Sequence, residues 1–283
     1  MKVCENVYQI RIDFNVTPEI KRYVYVYLIT GEYCYLIDAG VAGCESIIDN
    51  YMQKLGRKIS EIKAIFLTHA HPDHIGGAAE IKRITGCKIY ASEIEKAWIE
   101  DINLQFRERP IPNFYSLVNK SVKVEQIVKE NDEFIIEPGI MIRVIETSGH
   151  SMGAMSYIYE NERIIFCGDA IPVSGDFPIF VDEESSELSL RKIKELKNID
   201  YCCPAWDKAY EKKEIQEIID EGEGILKNLK KYVRQVCIYK EKLTEEDVSK
   251  ISVNMGLENM AGNPLFQKSI EACAESIVSK LYI

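Results

Sequence analysis

Residues His69-Ala70-His71-Pro72-Asp73-His74 place three imidazoles and a carboxylate within six positions, in a chain with only 4 His. Neutral imidazole and carboxylate are the donors that Zn²⁺, Mn²⁺ and Fe²⁺ take, so the run reads as a metal-ligand cluster. A solvated polar loop would not need three histidines. His69 and His71 are two apart, so in an extended segment they point to one side and can share an ion. Asp73 and His74 come where the chain turns, face a different point, and can serve a second ion.

The flanking sequence says what must hold the cluster. Ile65-Phe66-Leu67-Thr68 reads as a short buried strand, and Ile75-Gly76-Gly77-Ala78-Ala79-Glu80-Ile81 opens a helix. A strand-to-helix turn is a rigid platform for a site. Other ligands should then lie far along the chain. The last histidine, His150, stands among small residues (Thr147-Ser148-Gly149-His150-Ser151) after the strand pattern Ile140–Ile145. Ile164–Gly168 is a second buried pattern and ends at Asp169, and Tyr35–Ile37 a third, ending at Asp38. A lone Asp at a strand end is usually a turn former or a cap. Beside these histidines, Asp169, and to a lesser degree Asp38, become site candidates.

In this order and spacing the chain resembles the metallo-β-lactamase-fold hydrolase superfamily, in the style of hydroxyacylglutathione hydrolases (glyoxalase II). The resemblance runs from Asp38 through Thr68–His74, Gly149-His150-Ser151 and Gly168-Asp169 to a segment near Pro204, within residues 1–207. It implies His69, His71 and His150 as ligands of a first ion and Asp73 and His74 as ligands of a second. Asp169 would bridge the two, and Asp38 would support the ligands from behind. It further implies one or two divalent ions, Zn²⁺ foremost with Fe²⁺ or Mn²⁺ as alternatives. A metal-bound hydroxide would attack the substrate, with Asp73 as the catalytic residue that orients it or moves its proton.

One position departs from that pattern. Relatives usually close the domain with a turn whose His completes the second metal set, and here Ile199–Asp207 carries Trp206 in that place. Asp207 could supply an oxygen ligand instead, or act only as a turn residue. A carboxylate there would favour Mn²⁺ or Fe²⁺.

The resemblance implies an α/β fold, an αββα sandwich with two βα-rich halves. Strands are expected at 6–14, 23–30, 33–38, 63–67 and 88–91, with helices at 44–56, about 76–86 and 92–100. The second half is expected to hold strands near 122–128, 133–136, 140–147, 155–160 and 163–168 and a helix near 186–198. Gly31-Glu32 reads as a hairpin turn. Residues 208–283 differ in character. Lys213–Lys231 and Gln267–Lys280 carry apolar residues at helical spacing, and Thr244-Glu245-Glu246-Asp247 reads as a capped start. A helical C-terminal subdomain follows, able to help bind substrate, cover core or make a homodimer contact.

Two segments are candidate walls of a pocket. Asn103–Ser116 reads as an ordered apolar loop with Phe114 and Tyr115. The stretch after Asp169 brings Phe177 and Phe180, and Trp206 completes the set. Packing of these aromatics onto the body is the plainer use of them.

Composition sets outer bounds. The 283 residues can bury a sizeable core, and the net charge of −10 argues against a nucleic-acid substrate. No apolar run approaches a membrane span and the first residues carry no signal stretch, so a cytoplasmic protein is expected. The 9 cysteines are scattered, several inside strand patterns, and read as reduced thiols rather than a disulfide framework. The expected function is hydrolysis of a small thioester, lactone or related acyl compound. Two other classes stay open: a mononuclear iron persulfide dioxygenase-like oxidoreductase, and a non-catalytic metal- or ligand-binding member of the fold.

Overall fold

The computed structural model describes residues 1–237, 240 and 243–279. The chain divides into two compact units. One comprises Met1–Glu146, Gly153–Gly168 and Asn198–Glu211; the other comprises Thr147–Met152, Asp169–Lys197 and the chain from Lys212 onward. A single cut after residue 207 does not describe this division. The strand segments between 153 and 211 belong to the first unit, while the stretches joining them belong to the second.

The first unit contains two sheets. The first runs, in spatial order, β1 (Lys2–Cys4), β2 (Val7–Asn15), β3 (Lys21–Thr30), β4 (Cys34–Ile37), β5 (Ile62–Phe66), β6 (Lys88–Ser92) and β7 (Gln126–Val128). Pairing is antiparallel from β1 to β4 and parallel from β4 to β7. The second sheet holds β8 (Glu133–Glu137), β9 (Ile140–Glu146), β10 (Met155–Tyr159), β11 (Ile164–Gly168), β12 (Tyr201–Pro204) and β13 (Tyr210–Glu211), its edges being β8 and β13. There β11 and β12 run parallel and the other pairs antiparallel.

Two apolar layers explain the arrangement. Tyr27 and Phe66 of the first sheet meet Tyr157 and Phe166 of the second in one buried cluster. On the other face of the first sheet, Ile10, Leu36 and Ile65 pack with Ile48 and Met52 of α1 (Glu45–Lys54). Strands β4 and β5 read as near-continuous apolar runs because both their faces are covered. Each fully buried Ile or Phe contributes about 1.5–3 kcal/mol of burial.

Around the candidate ligands the helices differ from the sequence expectation. The helix expected at about 76–86 is α3 (Ala78–Thr85), and a further short helix, α2 (Pro72–Ile75), precedes it. Gly76 and Gly77 lie between them because nothing larger fits. A Cβ on Gly76 would meet the Leu117 carbonyl at 2.1 Å, and one on Gly77 the Ala39 carbonyl at 2.4 Å. After α4 (Glu93–Glu100), the expected loop 103–116 instead forms α5 (Ile102–Glu108) and α6 (Phe114–Leu117). Asp101 caps α5 by accepting the Asn103 and Leu104 amides, and Pro110 and Pro112 separate the two helices. The strand expected at 122–128 shrinks to β7, because the Val122 amide bonds to the Ile99 carbonyl instead of a strand partner.

The second unit is helical: α7 (Glu183–Glu195), α8 (Lys212–Cys237), α9 (Glu245–Asn254) and α10 (Pro264–Ser279). Ile218, Ile219, Leu226 and Leu229 form the buried stripe of α8. Thr244 and Asp247 make the capping box expected at α9. The Lys240 ammonium, 2.6 Å from Asp247, holds that carboxyl down at about 2. Lys280, the last residue of the expected Gln267–Lys280 helix, lies outside the described residues. No helix among the described residues is long and apolar enough to cross a membrane. All nine cysteines are free thiols, buried except for the partly exposed Cys4.

Candidate metal centre

In the first unit the cluster stands where β4 and β5 end. Asp38 follows β4 with φ of 61°, a left-handed conformation uncommon outside glycine. The buried Asp38 carboxylate accepts the Thr68 amide at 2.8 Å and the Thr68 hydroxyl at 2.9 Å. It also accepts a hydrogen bond from the His74 Nδ1–H, at 2.8 Å. That hydrogen bond fixes the His74 tautomer and leaves Nε2 as the nitrogen that could hold an ion. The Thr68 hydroxyl, having donated to Asp38, can accept from His69 Nδ1 at 3.0 Å. One carboxylate thus orients His74 directly and His69 through a hydroxyl.

The two imidazoles flanking Ala70 face one another as their spacing predicts. His69 Nε2 lies 2.9 Å from His71 Nδ1, with the rings edge to face. His74 is drawn into the same group, its ring 4.0 Å from that of His69. Asp73 Oδ2 stands 3.6 Å from His74 Nε2. The Tyr157 hydroxyl donates to the Leu67 carbonyl at 2.7 Å and steadies the end of β5. Burial, and then the Asp38 charge, hold that phenol well above its ordinary range, so it stays a donor. Gly168 permits a close approach here. Its φ is 52°, and a Cβ would come 2.7 Å from the Thr68 hydroxyl.

The second unit carries His150 and Asp169. His150 Nδ1 donates to the Ile179 carbonyl at 2.8 Å, which leaves Nε2 3.2 Å from Asp169 Oδ2. Both side chains are buried, at 7% and 8% exposure.

The residues of each unit fit a divalent ion by their chemistry. Imidazole nitrogens and carboxylate oxygens are the donors, and three of the four rings have their other nitrogen held by a carboxylate, a hydroxyl or a carbonyl. Metal-ligating histidines are held in this way.

Other expected residues fall elsewhere. The Asp207 carboxylate accepts the Lys208 amide at 2.7 Å and the Tyr210 hydroxyl, so both oxygens serve its own turn. Trp206 packs between Phe14 and Tyr23 and accepts the Tyr23 hydroxyl at its carbonyl. Phe114 is buried against Phe106, while Tyr115 is exposed and bonds to Asn103. Phe177 lies against Phe266, and Phe180 is buried. The sequence reading did not single out Thr68 for its hydroxyl, nor the Ile179 carbonyl, Glu95 or Gln105.

Exchanging Asp38 for Asn puts a donor against a donor in either amide orientation, at His74 or at Thr68. Asp38→Asn is expected to weaken the ion that His74 serves by ~10–100-fold, the usual cost of losing an outer partner. Metal titration of the folded variant measures it, and wild-type affinity would remove Asp38 from the centre.

The two sheets and the histidine motif define a class. The sequence profile of the Metallo-beta-lactamase superfamily matches residues 20–205, and the chain belongs to that superfamily. Among individual proteins it is similar to hydroxyacylglutathione hydrolase of Rhodopseudomonas palustris (strain BisB5), 28% identical over 151 residues, covering 50% of this chain and 49% of that protein. The enzyme of the same name from Nitrobacter winogradskyi is 28% identical over 149 residues, again covering 50% and 49%. The chain therefore spans about half the length of the curated relatives it matches.

Two solved structures share the fold. A metallo-beta-lactamase family protein from Thermus thermophilus aligns with a TM-score of 0.69 at 17% identity, covering 90% of this chain and 91% of that one. A beta-lactamase domain protein from Burkholderia ambifaria aligns with a TM-score of 0.72 at 16% identity, covering 100% and 88%. The fold is the metallo-β-lactamase fold, α/β, with a helical C-terminal extension.

Proposed function

We propose that the chain is a metal-dependent hydrolase acting on a small thioester, lactone or related acyl compound. The observation that carries this reading is the way the imidazoles are held: His74 by Asp38, His69 by Thr68 and His150 by the Ile179 carbonyl. Such arrangements prepare ring nitrogens for an ion. The thioester class is supported by the name of the relatives, hydroxyacylglutathione hydrolase.

By the family resemblance, His69, His71 and His150, with Asp169 as bridging carboxylate, would hold one divalent ion. By the same resemblance Asp73, His74 and Asp169 would serve a second, held more weakly, since Trp206 stands where the resemblance implies a further His. Zn²⁺ suits the imidazole-rich set, and a larger share of carboxylate favours Mn²⁺ or Fe²⁺. A bound ion supplies Lewis acidity to the scissile carbonyl and makes water more acidic. Asp73 would take the proton of the attacking water and return it to the leaving group. Asp38 and Thr68 would keep the ring nitrogens aimed while charge develops. Glutathione itself is not part of the proposal.

Metal content per purified chain, followed by thioester, lactone and persulfide assays, tests the reading. At least one transition ion per chain is expected, with acyl hydrolysis that a chelator abolishes and added metal restores. Persulfide oxidation without hydrolysis would make the protein an oxidoreductase. A chain that binds metal but turns over none of these would be a binding protein, and either result overturns the proposal.

A further inference from the structure

The stretch joining His69 to His71 is gripped from both sides by residues outside the proposed ligand set. The Ala70 amide donates to Glu95 Oε2 at 2.9 Å, and the Ala70 carbonyl accepts Gln105 Nε2 at 2.6 Å. The first bond fixes the His69–Ala70 peptide plane, and the second fixes the Ala70–His71 plane. Every backbone rotation that could change the relation of the two imidazoles lies between or beside these planes. Both gripping side chains are buried, Glu95 at 4% and Gln105 at 0% exposure.

Glu95 also reaches a second place. Its other oxygen accepts the Gly153 amide at 2.9 Å, while the Ser92 hydroxyl donates to the Gly153 carbonyl at 2.7 Å. Gly153 is three residues past His150 in the chain. The first turn of α4 therefore holds the peptides between His69 and His71 and the strand entry that follows His150.

The local sequence makes this use of Glu95 unexpected. Ser92-Glu93-Ile94-Glu95 has the pattern of a capping box, in which the Glu would turn back to its own helix and bond the Ser92 amide. Ser92 keeps its half, accepting the Glu95 amide at 3.3 Å. The Glu95 carboxylate instead spends its two oxygens on peptides 25 and 58 residues away. Burying a carboxylate is costly, and charge-assisted bonds to two amides offset that cost. A helix cap alone would have kept this side chain at the surface.

We propose that Glu95 and Gln105 are positioning residues that set the spacing of the His69 and His71 nitrogens and so tune metal affinity. This rests on the metal reading above. A loss of fold stability lowers the melting temperature but leaves the metal affinity of folded protein alone. Loss of positioning lowers that affinity directly.

The test is Zn²⁺ affinity of metal-free protein, by competition with a chromophoric chelator at 25 °C, for wild type, Glu95→Gln and Gln105→Met. Gln keeps the shape of Glu but turns an amide donor toward one of the two N–H groups. Met keeps the length of Gln and cannot donate. Each variant, folded by circular dichroism, is expected to bind Zn²⁺ at least ~10-fold more weakly. Co²⁺ added in place of Zn²⁺ should show a shifted visible spectrum in both. Folded variants with wild-type affinity and spectrum would overturn the clamp. Should Glu95→Gln fail to fold, Gln105→Met decides by the same criterion. Wild type that takes up no Zn²⁺ would sink the metal reading itself, and the clamp with it.

Discussion

His71→Ala is expected to lose most of the metal that the wild-type chain carries. His71 is buried, and its Nδ1 stands 2.9 Å from His69 Nε2, so the two rings present their nitrogens together. Without His71 the proposed first ion keeps two imidazoles and a carboxylate, and water must fill the vacant place. Loss of a ligand should cost more than the ~10–100-fold that loss of an outer partner costs. Metal analysis after dialysis against a weak chelator measures it, with circular dichroism to show that the variant folds. Full metal content in folded His71→Ala would sink the ligand assignment and the function built on it.

Asp73→Asn is expected to lower turnover by at least ~10²-fold, the usual scale for a positioned acid or base. Asn fills the same space and can still accept a hydrogen bond, but it cannot take a proton. The Asp73 carboxylate lies 3.6 Å from His74 Nε2 and keeps 14% of its side-chain surface exposed, so a small reactant can reach it. The proposed first ion should remain in the variant. Turnover at saturating metal separates the two roles. A near-normal rate there would mean that Asp73 moves no proton in the reaction, and another group would have to be found.

Most of the fold was legible because its signals are local. Apolar strands ending in Asp38, Thr68 and Asp169 announce themselves by composition, and the spacing of two places His69 and His71 on one side. The Thr244–Asp247 box is a pattern confined to four residues. Part of what stayed hidden depends on partners distant in sequence. Glu95 bonds to two backbone amides, and a bond to a peptide leaves no complementary side chain to recognise. Its S-x-x-E setting even pointed back into its own helix. Prolines 110 and 112 made the region around them read as loop, although Asp101 before Ile102 was a legible helix start. Asp207 looked available as a ligand because nothing in the sequence says that Tyr210 bonds to it.

The division of the chain bears on how this protein can be cut or recombined. Within the second unit, Ser269 of α10 accepts the Phe180 amide at 3.1 Å, one residue beyond the carbonyl that orients His150. Glu183 of α7 is bonded to Lys230 of α8 and to Ser276 of α10. A chain ended at Glu211 would retain every proposed ligand, yet the segment that steers His150 would have lost the helices it is fastened to. The C-terminal helices are therefore not a cassette to be swapped between relatives at one junction. A graft meant to change substrate would have to carry residues 147–152 and 169–197 along with them.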